Sequence, residues 1–515
     1  MTYKQIKSLF PSSTTHHDEM HCQVESVEFA TLVGKLIESG LPLSLVYATD
    51  DRAQKNTFSV HAVLSLEEEA QWLVLSTSVS SESPSYPSIT ASVMAAHWYE
   101  RYLQDMFGIT PEGHPDPRRL VHHENIPEET HPLRKDFAWN TKLDHAQVPY
   151  PMHHVEGDGV YEIPVGPIHA GIIEPGHFRF NVAGERIITL EGKLFFTHKG
   201  VEKLLEGKTP EEALAFIERL SGDMAASHAL AFCQAVEKIS ETKVPERAQA
   251  LRVALCELER LTMHIHDLAN IAGMGTGYSL MAANGFRVKE RLVRLSESLL
   301  GNRFWRGAIV PGGVTRDWTE GECDLVSETA TAAVKEMQDL VAMAMQSDGL
   351  RERLETTGVL KHETAIAYGA VGLPARASGV MRDVRASHPY AAYQELPWKL
   401  VTAMDGDVYA RYRCRVDELA VSLEVLLAAL KLNRGGVVCT GLSYKDGSGI
   451  GAVESWRGEI LTVVHLKNGK IERCMPRDPS FCNWALFGEL GPGNIVPDFP
   501  LCNKSLNLSY SGTDM

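Results

Sequence analysis

Glu257, Glu259, His264 and His266 crowd one short, leucine-rich stretch, a residue set from which divalent metal sites are built. Their spacing argues against such a site. Residues two apart on a helix project from different faces, so neither the two histidines nor the two glutamates would converge on one ion. Two glycine-rich runs, GMGTG at 273–277 and NRGG at 433–436, raise phosphate binding, yet neither follows a clear strand and opens a helix with nucleotide-binding spacing. Both read as turns that end helices. Nine cysteines, at 22, 233, 256, 323, 414, 439, 474, 482 and 502, are scattered without a C-x-x-C pair, and no flavin, nicotinamide or iron–sulfur motif is visible. A secreted disulfide framework is not expected in so long a chain without a signal peptide, so the cysteines read as reduced thiols of a cytoplasmic protein, mostly buried.

The elements that must position any such residues fall into two blocks. A chain of 515 residues, 44% of them apolar, is long enough for two or three domains. Residues 26–137 read as a small α/β domain: a helical stretch from Phe29 to Gly40, strand-like LSLVYAT, FSVHAVLSL and WLVLSTSV, and a helix at Ser92 to Phe107. Residues 138–160, with mixed polarity and no period, read as a linker. The remainder, 161–515, opens with short strand-like runs to Thr197 and turns helical after Pro210. Its clearest helix starts at Pro245 and carries Leu251, Leu255, Leu258, Leu261 and Ile265 on one face, and others are expected at 281–300, 321–346 and 407–433, with strands within 451–475. The fold class is α+β, a small α/β domain followed by a large, mainly helical bundle with short β elements. Fifty basic against 66 acidic residues leave a net charge of -16, which disfavours nucleic acid and direct attraction to anionic membranes. No window reaches the roughly 18 to 20 apolar residues of a bilayer-spanning helix, so any membrane contact is expected through a protein partner.

Longer motifs carry a family resemblance. PSITASVMAAHWYERYLQDMFGI (87–109) and GHPDPRRL followed by HPLRKDF (113–137) resemble the small hydrophilic 30 kDa subunit of complex I. GPIHAGIIEPGHFRF (166–180), FFTHKGVEKL (195–204), VPERAQALRVALCELERLTMHIHDLA (244–269) and RASGVMRDVRASHPYAAY (376–393) resemble its 49 kDa partner and the large subunits of membrane-bound nickel–iron hydrogenases. The GHFRF and HPYAAY variants lean toward the hydrogenase branch. The resemblance implies a fused subunit of a membrane redox complex, docked on a small iron–sulfur subunit that holds the nearest cluster and on antiporter-like and quinone-site-type membrane subunits. It would sit on the cytoplasmic side of the inner membrane, without a span of its own.

Hydrogenases of this family carry two C-x-x-C pairs, one just after an arginine early in the bundle and one at the extreme C-terminus. Here the first place reads ERLSGDMAASH and the second SLNLSYSGTDM, so Ser221, Met224, Ser509 and Gly512 stand where cysteines are expected. Nickel with iron needs soft thiolates; a serine hydroxyl stays protonated, a thioether is uncharged and glycine offers no side chain. The resemblance therefore implies a cavity without metal. Cys233, about three helical turns past Ser221, and Cys502, which precedes Ser509, do not sit in the expected places. Complex I uses a histidine and a tyrosine as quinone donors; this chain has Ile173 at the histidine register, and Leu220, Ser221 and Gly222 after Arg219 leave no tyrosine.

The same resemblance nominates Glu202 as the carboxylate that begins proton transfer, Arg219, Arg376, Asp383 and Arg385 as charges around the vacated cavity, and His169, His198 and His228 as core histidines within the motifs. Each has a structural alternative: a capping glutamate, an Asp383–arginine pair that only satisfies buried charge, a hydrogen-bonded histidine. The function expected is electron transfer through the neighbouring cluster, coupled to ion movement without hydrogenase activity. A quinone-reducing subunit and a catalytically silent scaffold are the rivals.

Overall fold

The computed structural model describes residues 2–169, 173–432 and 435–515; Asn433 and Arg434 of the NRGG run lie outside them. The first block comprises helix α1 (Tyr3–Leu9), strands β1 (Thr14–His16) and β2 (Glu19–Gln23), helix α2 (Ser26–Glu38), strands β3 (Leu43–Asp50), β4 (Thr57–Leu66) and β5 (Gln71–Ser80), and helix α3 (His97–Phe107). Its sheet has the order β1-β2-β5-β4-β3, antiparallel except for the parallel β2–β5 pair. The sheet therefore begins well before residue 26, where patterning suggests the domain starts. All three residues of β1 are exposed, so a strand that short and polar leaves no alternation to read.

No helix or strand interrupts residues 141–157. The second block opens with a three-stranded antiparallel sheet of β6 (Val160–Val165), β7 (His177–Ala183) and β8 (Arg186–Lys193). Five long helices follow: α4 (Ala225–Ile239), α5 (Glu246–Asn270), α6 (Ser279–Leu300), α7 (Glu320–Ala344) and α8 (Val408–Lys431). A second antiparallel sheet, β9 (Gly447–Glu454), β10 (Glu459–Lys467) and β11 (Lys470–Arg477), packs on α4, and the chain closes with a short helix α9 (Tyr510–Asp514).

Helix α5 is the axis of the bundle. Its apolar stripe is buried, and so are Arg252, Glu257, Glu259, Arg260, His264 and Asp267 on its other sides. A helix enclosed all round must pair its charges internally, and the pairs are present: Arg252 with Glu237 on α4, His264 with Glu418 on α8, and Asp267 with Arg415 on α8. Gly285 lets α6 approach closely, since an added Cβ would stand 2.4 Å from the Cβ of Ala269. Beyond α5 the GMGTG run winds into a π-helical turn, Ile271–Gly275, and ends at Gly277 with φ +84°.

Candidate functional site

The segments that resemble the two metal-binding motifs meet. Ser221 lies in the turn before α4, Met224 caps that helix, and Ser509 caps α9 by accepting the N–H of Gly512 at 2.9 Å. The hydroxyls of Ser221 and Ser509 are 3.1 Å apart. A third segment lies against Ser221: the Arg457 guanidinium forks onto Asp223 at 2.9 and 3.1 Å, stands 3.4 Å from Ser221 Oγ, and donates through Nε to the Asn507 carbonyl at 2.5 Å. Burial alone would raise the Asp223 carboxyl, but the Arg457 charge and hydrogen bond hold it below its usual range. Met224 turns from the serines into a small apolar cluster with Met263 and Trp456.

On the other side of α9, His228 donates through Nε2 to Asp478 Oδ2 at 3.0 Å. Asp478 is fully buried; the hydrogen bond from His228 and the charge of Arg457 outweigh burial and keep it ionised. Gly512 packs onto it, with the position of an added Cβ only 2.5 Å from Asp478 Oδ2. Glu174 accepts the Ser511 N–H at 3.0 Å, and Asp514 accepts the N–H groups of Phe195 and Thr197, both at 2.9 Å, so Glu174 and the start of the FFTHKGVEKL segment also dock on the C-terminal helix. His198 contributes a bond to the Asp514 carbonyl. These donors do not suit a nickel–iron centre. They are two hydroxyls, an amide-capped helix and a filled arginine–aspartate pair, and a thiolate at 512 would collide with Asp478.

A second polar cluster, wholly buried, surrounds Arg376 on the short helix Gly372–Ala377. Its guanidinium reaches Glu454 at 2.5 Å, Glu418 at 2.6 Å and Asp383 at 3.5 Å. Asp383 forks onto Arg385 at 2.7 and 2.9 Å, and Arg385 faces Glu257 at 3.5 Å. Glu257 also accepts Tyr393 and Ser422, each at 2.5 Å, and pairs with Arg260 at 3.2 Å. His264 Nε2 completes the cluster at 2.6 Å from Glu418. Three arginines thus face four carboxylates, and burial holds His264 neutral. The imbalance falls on Glu454, whose carboxyl is pushed up to about 7 by burial and then by Asp383.

One turn joins the clusters. Glu454 ends β9 and belongs to the arginine cluster; Arg457, before β10, belongs to the serine cluster. The turn is closed by Ser455 Oγ, which donates to the Gly458 carbonyl at 2.7 Å, and Gly458 (φ +145°) lies backbone to backbone with Gly372, where a Cβ on Gly372 would come within 2.2 Å of the Gly458 Cα. The helix carrying Arg376 therefore rests directly on this turn.

Other nominated residues fall elsewhere. Glu202 is buried where the two blocks join: it accepts the Tyr102 hydroxyl of α3 and pairs at 2.8 Å with Arg473, which also donates to the Ala48 carbonyl of β3. Neither of its partners touches the serine pair. Arg219, expected at the cavity, is exposed and donates back to the Ala215 carbonyl at 2.6 Å, because the chain leaves its preceding helix with that side chain outward. His169 bonds the Gly176 carbonyl at 2.8 Å. The crowded quartet on α5 disperses: Glu259 caps α4 through Ala226 and Ser227, and His266 stacks on Phe286. Arg457, Asp223, Asp478 and Glu174 are the site residues that motif reading misses. They act singly across long sequence separations, and only the completeness of the surrounding motifs hints that partners exist.

The fold is that of a hydrogenase-type large subunit with a fused N-terminal domain. Family profiles match in the same order: the 30 kDa subunit of respiratory-chain NADH dehydrogenase over residues 23–142, nickel-dependent hydrogenase over 199–270, and the 49 kDa subunit of respiratory-chain NADH dehydrogenase over 276–440. Formate hydrogenlyase subunit 5 of Escherichia coli is 34% identical over 486 residues, covering 92% of this chain and 84% of that protein. The C/D subunit of NADH-quinone oxidoreductase from Bacteroides fragilis is 30% identical, covering 74% and 75%. A chain in the structure of the membrane-bound sulfane sulfur reductase, an archaeal respiratory membrane complex, superposes with a TM-score of 0.66 at 26% identity, over 71% of this chain and all of that one. The protein belongs to the family that unites membrane-bound hydrogenase large subunits with the 49 kDa subunit of complex I, in its form fused to a 30 kDa-type domain.

Proposed function

We propose that the chain is the peripheral large subunit of an energy-converting membrane oxidoreductase complex that works without a nickel–iron centre. The meeting of Ser221 with Ser509, beside the Arg457–Asp223 ion pair and with Gly512 on the Ser509 hydroxyl, supports this reading: the two motif segments come together with hydroxyls and an ion pair in place of soft ligands. Electrons pass through an iron–sulfur cluster of a small neighbouring subunit, and antiporter-like and quinone-site-type membrane subunits move the ion. Among the described residues no helix is long and apolar enough to cross a membrane, so attachment to the inner membrane from the cytoplasmic side runs through those partners. The arginine cluster around Arg376, Asp383 and Arg385 supplies the charge change that is relayed, with Glu454 as the group that gains or loses a proton. Likeness to a sulfane sulfur reductase supports a framework serving reactions other than hydrogen evolution. Likeness to an NADH-quinone oxidoreductase favours quinone as a second reading of the acceptor.

The test is affinity purification from native membranes in mild detergent, followed by subunit identification, metal analysis and assays with hydrogen and a water-soluble quinone. An iron–sulfur protein and polytopic membrane proteins should co-purify, with iron but no stoichiometric nickel and no hydrogen evolution. Recovery of the chain alone in full yield would remove the reading; quinone turnover would decide for the second acceptor.

A further inference from the structure

The GHPDPRRL motif of the N-terminal domain takes no part in either polar cluster, yet it borders a cavity of about 430 Å³ roofed by linker residues 148–151. Two features of its wall are unsatisfied. His122 is 6% exposed and its Nε2 has no hydrogen-bond partner. Arg119 donates from Nη1 to the carbonyls of Ile126 at 2.8 Å and His123 at 3.3 Å, and makes no ion pair among the described residues. Its neighbour Arg118 differs, since Asp116 and Glu191 take its charge.

The carboxylates nearby do not answer the cation. Asp105 has one oxygen saturated by the N–H groups of Leu120, Val121 and His122 at 2.8 to 3.1 Å, and Glu128 points to solvent. His131 donates through Nδ1 to the Asp105 carbonyl at 2.9 Å. Burial, then the charge of Arg119, holds His122 neutral near pH 7. A buried donor without an acceptor and a guanidinium without an anion are each unfavourable, and one group that offers negative oxygen removes both costs.

We propose that this cavity binds the phosphate group of a small phosphate monoester, Arg119 forking onto two oxygens and His122 Nε2–H donating to the third. The volume lies within the range of small-molecule sites and exceeds that of phosphate alone, leaving room for an organic moiety. The inference concerns the N-terminal domain and is independent of what the serine cluster does. The same headgroup chemistry could come from a soluble ester or an anionic lipid.

The experiment titrates the full chain with inorganic phosphate and with glycerol 3-phosphate by calorimetry, and separately with vesicles containing phosphatidic acid, a lipid phosphate monoester, against phosphatidylcholine vesicles. Saturable phosphate binding is expected, weakened about tenfold or more in Arg119→Gln, as loss of a charge-assisted bond predicts; in His122→Asn, which keeps a polar group of similar reach, a smaller loss is expected. Unchanged thermal melts without phosphate establish that both variants fold. Binding to phosphatidic acid vesicles that depends on Arg119 assigns the headgroup to lipid. No saturable binding at millimolar phosphate or to vesicles, or binding that Arg119→Gln leaves unchanged, overturns the proposal.

Discussion

Ser221 and Ser509 stand 288 residues apart in sequence and their hydroxyls 3.1 Å apart in space, with the Arg457 guanidinium against the first of them. If these are the positions of the family's metal ligands, as proposed, the contact leaves no open coordination site. Restoring cysteines at 221, 224, 509 and 512 together should therefore fail to restore nickel binding, because Asp478 stands 2.5 Å from the Cβ position of residue 512 and Arg457 adds positive charge where a dication would sit. Elemental analysis of the quadruple variant should find no stoichiometric nickel; about one nickel per chain would refute the steric argument.

The Arg457–Asp223 pair gives an asymmetric prediction. The Arg457 side chain is 2% exposed and that of Asp223 is 30% exposed. Asp223→Ala leaves a buried cation unpaired and should cost about 3 kcal/mol or more. Arg457→Met leaves a carboxylate that water reaches and should cost less. Denaturant midpoints of the two variants check the order.

Glu454 predicts a pH effect with a definite sign. Its folded value of about 7 lies above the ordinary 4.5, so the folded state holds a proton that the unfolded state has lost between these limits. The contribution of Glu454 to stability is full below pH 4.5 and disappears as pH rises through 7, at most roughly 1.4 kcal/mol per pH unit. Histidines kept neutral by burial, such as His388 at about 4 and His122 at about 3, act in the opposite direction below pH 6.5. The measurement is accordingly a difference: the stability of the parent relative to Glu454→Gln should fall from pH 4.5 to 7. A flat difference would place the shared proton on another group.

Tyr102→Phe should loosen the joint between the blocks. It leaves one oxygen of the buried Glu202 without its hydroxyl donor, a loss of about 1 to 3 kcal/mol. A lower melting temperature and faster proteolysis within residues 138–160 are expected. Cleavage at the parental rate would show that Glu202 does not hold the domains together.

Helices α5, α6, α7 and α8 are legible in the sequence because leucines and alanines recur at three-to-four spacing along most of their length, and β3 to β5 because β-branched runs are dense. Strands β1 and β2 are not, since β1 is three exposed polar residues and the five of β2 offer only Met20 and Cys22 as apolar positions, too few to read as a strand. At the site, the positions of Ser221, Ser509 and Gly512 follow from motif register alone. Arg457 and Asp478 do not, because a lone residue in a turn carries no spacing signal. The outward course of Arg219 escapes for another reason: adjacency to a motif fixes a residue's position but not its direction.

The turn from Glu454 to Arg457 is a rigid bridge between the two clusters. Pinned by Ser455 and seated on Gly372, it has no slack to absorb displacement at one end. Glu454 grips Arg376 at one end while Arg457 grips Asp223 and the Asn507 carbonyl at the other, so a substitution that displaces either end bears on both clusters.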